Sequence, residues 1–138
     1  MGTVLRMEGI TKIFPKVIAN QDVTIDLEEG EVHALLGENG AGKSTLMNCL
    51  YGLYRQDEGK IYVRGEEVEI NKSEDAIRLG IGMVHQHFML VPELTVAENI
   101  ILGLKSAREP FLNLSAAEKR IQELSDQYNF GIDPKAKV

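Results

Sequence analysis

The chain has 138 residues, with 15 Lys and Arg against 21 Asp and Glu for a formal net charge of −6, 43% hydrophobic residues and a single cysteine. These values bound it at one small globular domain, at about 100 to 200 residues per domain; they exclude an internal disulfide framework and a general basic surface for nucleic acid or anionic membrane. No run approaches the ~18 apolar residues of a bilayer span, and the opening MGTVLRMEGITKIF lacks the basic-then-apolar layout of a signal peptide, so the expected compartment is the cytosol.

Val23, Ile25 and Leu27 alternate with Thr24 and Asp26, the period of a strand with one face in the core. Glu28-Glu29-Gly30 makes a turn. Val32 to Leu36 is nearly continuous in apolar character, which predicts a strand buried on both faces of a parallel sheet, ended by Gly37. From Lys43 to Tyr51 the pairs Leu46/Leu50 and Met47/Tyr51 stand at i, i+4, so a helix follows, with Gly52 as its stop. Residues 60 to 70 read as a strand, a turn near Gly65 and a second strand. Ser73, Glu74 and Asp75 start a short helix, the carboxylates suiting its positive end. Ile81 to His85 is predicted as another apolar strand. Beyond Pro92 the chain turns helical, with Thr95 as N-cap of VAENIILG and Ser115 with Glu118 as a capping box. Ala117, Ile121, Leu124 and Tyr128 form one apolar helix face, closed by Gly131 and Pro134. No internal repeat or low-complexity segment is present.

Gly37-Glu38-Asn39-Gly40-Ala41-Gly42-Lys43-Ser44 fits the P-loop pattern of Gly, four residues, then Gly-Lys-Ser/Thr. Its setting strengthens the match, since an apolar segment runs into Gly37 and a helix leaves from Lys43. Loop N–H groups and the helix start can then converge on one anion. The glycines let the main chain approach phosphate oxygens without side-chain collision. Lys43 is placed to reach the β- and γ-phosphates, Ser44 to offer its hydroxyl oxygen to Mg²⁺, and Thr45 to bind an α-phosphate oxygen.

A P-loop alone serves kinases, GTPases and motors. GENGAGKSTL, followed by GMVHQHFMLVPELTVAENI, resembles the ATP-binding subunit of an ABC transporter, over nearly the whole chain and with both motifs in order. The resemblance implies an α/β P-loop NTPase of the ABC ATPase type. Residues 1–91 would be the N-terminal part of the nucleotide-binding core, with an antiparallel β subdomain, the P-loop and the Q-loop strand; residues 92–138 would start the α-helical subdomain. It implies ATP and Mg²⁺ as ligands, and Gln86 as the Q-loop glutamine, whose carbonyl oxygen can ligate Mg²⁺ or orient the attacking water. On residue type alone Gln86 is a surface glutamine. Phe14, in ITKIFPKV, matches the family's adenine-stacking aromatic, with Val17 on the same ring; on residue type alone Phe14 belongs to the core. The implied partners are a second ATP-binding domain and transmembrane permease subunits reached around Gln86, with no nucleic acid, at the inner face of the cell membrane. The stretch VHQHFMLVPELTVAENIILG most resembles importers of simple sugars and nucleosides.

Other residues have plainer readings. His85 and His87 flank Gln86 at a spacing that makes a weak metal site, His33 reads as a core or edge histidine, and Cys49 as a packing residue. Asn71-Lys72-Ser73-Glu74 misses the guanine motif at its carboxylate, and Met83, Met89 and Leu90 read as packing residues. The family's signature, its Walker B strand ending in Asp-Glu and its switch histidine are not found: Leu114-Ser115-Ala116-Ala117 lacks the signature glycines. The chain therefore reads as an N-terminal fragment with a phosphate cradle and little turnover of its own. Two other classes stand beside this reading, a soluble ABC-type ATPase acting on DNA or ribosomes and a small P-loop kinase. The long segment after Gln86 favours the transporter, and a kinase would need a lid with paired arginines that the chain does not show.

Overall fold

A computed structural model describes residues 2–87, 90–103 and 113–138, in two compact units, Met1–Val84 and His85–Val138. The first unit is built on an antiparallel sheet in the order β2-β1-β3-β4, with β1 Thr3–Phe14, β2 Val17–Glu28, β3 Glu58–Val63 and β4 Glu66–Val68. β3 and β4 form the hairpin expected near Gly65, turning through Arg64 (φ 51°) and Gly65 (φ 83°), both in the left-handed region that a two-residue hairpin turn demands. Helices α1 (Lys43–Leu50) and α2 (Ser73–Arg78) complete the unit. The core joins Met7 and Ile10 of β1 and Ile61 of β3 to Leu46, Cys49 and Leu50 of α1, so the helix that follows the P-loop is seated on the sheet. Cys49 is a buried packing residue, and burial pushes its thiol above the ordinary range.

Two irregularities decide which residues face that core. In β1, Leu5 and Met7 point inward, then the register with β2 shifts between Met7 and Ile10, and Ile10, Lys12 and Phe14 continue on the buried side. In β2, Val23, Ile25 and Leu27 face inward. Ile10 pairs with Val23 but Lys12 pairs with Asn20, so β2 carries one extra residue at Asp22 (φ 51°), a bulge. The bulge turns Asn20 to the core side, where strict alternation would have left it in water.

The chain leaving α1 is tied to β1. Asp57 accepts from Ile13 N–H at 2.7 Å and pairs with Lys12 at 3.2 Å, and its own N–H donates to Thr11 O at 2.9 Å. Alongside, the Phe14 ring meets Tyr54 edge-on at 5.5 Å, with the Lys12 ammonium 5.6 Å from the Phe14 centroid.

Two predicted strands do not form. Residues 31–36 are irregular, with Val32 97% and Leu36 90% exposed, and residues 81–85 are likewise irregular, with Val84 85% exposed. A parallel-sheet strand takes its hydrogen bonds from neighbours on both sides, and no strand among the described residues pairs with either segment. His33 is accordingly not in the core: it meets Glu31 at 3.1 Å on the surface.

In the second unit, Thr95 is the N-cap of α3 (Val96–Ile101) as expected, and it goes further in forming a capping box: Glu98 N–H donates to Thr95 Oγ1 at 3.2 Å and Thr95 N–H to Glu98 Oε2 at 2.7 Å. The predicted Ser115–Glu118 box is displaced. α4 (Leu114–Gln127) is capped by Asn113, whose side chain accepts from Ala116 N–H at 3.2 Å, which puts Ser115 inside the first turn. Its buried stripe holds Ile121 as predicted but continues to Ser125, not Leu124 and Tyr128, which are exposed. Ser125 is drawn in because its hydroxyl accepts from Ile132 N–H at 2.8 Å as the chain folds back. The stop also comes earlier than Gly131, since Asn129 already takes a left-handed φ of 54°. Leu90 is exposed rather than packed, Met83 is half-buried, and Met89 lies outside the described residues. No helix among the described residues is long and apolar enough to cross a membrane.

Truncating Ile61, fully buried between the sheet and α1, to Ala should cost about 2–5 kcal/mol, read as a lowered urea midpoint. Asp57 supplies a pH test. The Ile13 N–H first, and the Lys12 ammonium second, hold its carboxyl below the ordinary range. A carboxyl depressed by folding stabilises the fold above its unfolded pKa of about 4, and that contribution disappears as pH falls through the folded value. Asp57→Asn should therefore lower the urea midpoint near neutrality and converge with the unsubstituted chain in acid. Midpoints that stay equally separated down to about pH 2.5 would show that the carboxylate contributes nothing.

Candidate functional site

The P-loop residues fold between β2 and α1 of the first unit. Ala41 N–H donates to Glu38 O at 3.2 Å, so residues 38–41 make a tight turn, and Gly40 (φ 85°) and Gly42 (φ 86°) take the left-handed angles that reverse the chain into the helix. At Gly42 the glycine is required twice over. A Cβ there would run into the Ala19 carbonyl oxygen and come within 2.7 Å of Asn20 Nδ2.

Gly42 is also the N-cap of α1, and having no side chain it makes no capping bond; the first turn contains no acidic residue. The helix's first internal bond runs from Leu46 N–H to Gly42 O at 2.9 Å. The N–H groups of Lys43, Ser44 and Thr45 precede that bond, and with the helix dipole they form a positive end. Ser44 is exposed and Thr45 half-buried beside it.

The Lys43 side chain folds back over the loop. Its ammonium donates to Gly37 O at 2.6 Å and Glu38 O at 2.7 Å, two of its three N–H donors. Gly37 closes the ring from the other side, since a Cβ on it would stand 3.3 Å from Ala41 Cβ and 3.8 Å from Lys43 Nζ. Glu38, Asn39 and Ala41 are exposed along the rim. The arrangement gathers a cation and the first N–H groups of α1 at one point, and among the described residues the acceptors on the ammonium are neutral carbonyls. A phosphate oxygen would be a stronger acceptor than either carbonyl, because it sets a full negative charge against the ammonium where a carbonyl offers only a dipole.

Phe14 and Val17 are cross-strand partners at the tip of the β1–β2 hairpin. Val17 is exposed and Phe14 half-buried against Tyr54, so the ring belongs neither wholly to the core nor wholly to solvent. Gln86 is exposed in the second unit. Sequence reasoning passed over Asn20, whose Nδ2 donates to Gly42 O at 3.2 Å, and over Lys12 and Asp57 behind Phe14. Only the bulge in β2 would have pointed to Asn20.

Comparison with known proteins follows the same outline. The family profile described as ABC transporter matches residues 20–138. The guanosine import ATP-binding protein NupO of Bacillus subtilis is 53% identical over 138 residues, covering 100% of this chain and 27% of that protein. The glucose import ATP-binding protein TsgD13 of Haloferax volcanii is 49% identical, covering 97% of this chain and 30% of that one. A solved nucleotide-free ATP-binding cassette from an ABC transporter superposes with a TM-score of 0.81 at 26% identity, over 99% of this chain and 58% of that one. The chain thus spans under a third of the length of these two curated relatives. On the extent of these matches, and with its P-loop folded as described, the chain belongs to the ABC transporter family.

Proposed function

We propose that the chain binds ATP with Mg²⁺ as part of the nucleotide-binding subunit of an importer for a simple sugar or nucleoside. The observation that carries this is the Lys43 ammonium, held by Gly37 O and Glu38 O at 2.6 and 2.7 Å over the uncapped start of α1. When a nucleotide enters, Lys43 exchanges those carbonyls for β- and γ-phosphate oxygens, and the N–H groups at the start of α1, Lys43 to Thr45, close on the chain of phosphates. Thr45 takes an α-phosphate oxygen. Phe14, with Val17 beside it, offers the face on which adenine stacks; one edge of the Phe14 environment is already filled by Tyr54.

The donor set suits Mg²⁺. The ion would rest on the Ser44 hydroxyl, phosphate oxygens and water, the sparse protein ligation this ion favours, and the family resemblance adds the Gln86 carbonyl as a ligand. Its contribution when bound is to neutralise charge on the β- and γ-phosphates. Gln86 is suited to orient the attacking water as well, and being uncharged it can leave the site without stranding a charge. In the whole protein two such domains would close on ATP and reopen on hydrolysis, moving permease subunits at the inner face of the membrane. The cargo class rests on the segment from Val84 to Gly103 and on relatives named for guanosine and glucose import.

Lys43→Ala should weaken ATP binding about 10- to 100-fold, the worth of a charge-assisted bond, by calorimetry on the 138-residue chain; unchanged affinity would contradict the cradle. The chain carries no Asp-Glu pair after Gln86 to hold Mg²⁺ and polarise water. Its phosphate release should therefore not exceed that of the Lys43→Ala variant. Clear turnover above that control would mean that the chemistry runs on residues other than those named.

A further inference from the structure

Asn20 is a buried polar residue that the packing of the sheet does not call for. It is 6% exposed, its Nδ2 donates to Gly42 O at 3.2 Å, and its Oδ1 is buried without a hydrogen-bond partner among the described residues. An orphaned buried acceptor is a cost that an apolar side chain of the same size would avoid. Gly42 O can only accept, so the amide nitrogen must be the atom that faces it.

That single bond bears on the phosphate cradle. The Gly42 carbonyl and the Lys43 N–H belong to one planar trans peptide and point in opposite directions. Leu46 N–H takes one lone pair of Gly42 O at 2.9 Å, and Asn20 takes the other. Holding the carbonyl against β2 aims the Lys43 N–H out of the helix start and into the loop. Gly42, at φ 86°, has the least intrinsic hold on that peptide plane, and no side-chain cap steadies it. We propose that Asn20 is a positioning residue for nucleotide binding, acting on the phosphates through the Gly42–Lys43 peptide. The proposal rests on the ATP-binding reading given above.

The test uses the 138-residue chain, ADP as probe, calorimetry for affinity and amide proton resonances for geometry. Asn20→Leu keeps the volume and removes the donor; it should bind ADP about tenfold more weakly. Asn20→Asp keeps the shape but turns an acceptor toward Gly42 O, and should lose more. At saturating ADP the Lys43 amide proton should move downfield in the unsubstituted chain and move less in Asn20→Leu. A purely structural role for Asn20 would lower the unfolding temperature and leave that displacement intact. Undiminished ADP affinity and an unchanged Lys43 displacement in both variants, with binding by the unsubstituted chain, overturn this proposal alone. No binding by the unsubstituted chain overturns the cradle and the proposal together. If neither variant folds, the Asn20 side-chain amide protons of the unsubstituted chain decide: they should shift and exchange more slowly with ADP bound, and indifference to ADP overturns the assignment.

Discussion

Between the P-loop and β2 there is no room for a side chain at residue 42, because the Ala19 carbonyl and the Asn20 amide already occupy the space a Cβ would need. This close approach makes the loop a fixture of the sheet. Gly42 ends the loop and starts α1, so wherever β2 sits, the helix start and its free N–H groups must sit too. α1 in turn packs Leu46, Cys49 and Leu50 onto Met7, Ile10 and Ile61, which prevents the helix from sliding along its axis away from that contact.

A second tie acts on the far end of α1. Asp57 receives Ile13 N–H and the Lys12 ammonium while donating its own N–H to Thr11. β1 is therefore held through three consecutive residues to the chain that has just passed through the helix. Phe14 follows immediately, with Tyr54 at its edge, so its ring direction is set by the same clamp. The hairpin tip and the phosphate cradle are two ends of one rigid frame running β1, Asp57, α1, Gly42, β2. The proposed adenine platform at Phe14 and the proposed phosphate site would be held at one separation by such a frame.

What was legible beforehand was what neighbours in sequence determine. The alternation in β2, the hairpin around Gly65, the helix from Lys43 and the Thr95 N-cap are all settled within a few residues, and each forms where its pattern stands. The segments 31–36 and 81–85 carry an equally clear apolar pattern, but a strand is a relation between chains, and no described strand lies beside them. On α4 the pattern named Leu124 and Tyr128, yet the returning chain offers Ile132 N–H to Ser125, and one hydrogen bond rotated the buried stripe by a residue. Asn20 is the sharpest case. Its face depends on one extra residue in β2 near Asp22, a feature with no signature in composition or spacing, so a polar residue in a polar run gave no hint that it touches the loop.

The net charge of −6 looks ill suited to a phosphate site until the acids are placed. α2 has Glu74 and Asp75 in its first turn, with Asp75 accepting from Asn71 N–H at 3.2 Å, and α3 has Glu98 bonded back to Thr95. Both helix starts thus carry carboxylates of their own, which are held below the ordinary range: Glu98 by hydrogen bonds from Thr95, and Asp75 against an opposing pull from burial, by the Asn71 N–H and Arg78. α1 alone among these three begins with a residue that has no side chain and a first turn that has no acid. Long-range repulsion from the surface acids is screened over about 10 Å at moderate salt, whereas the cation and N–H groups of the loop act at bonding distance. The proposed affinity for a phosphate chain therefore turns on a helix start that carries no acid of its own, and less on the overall charge of the chain.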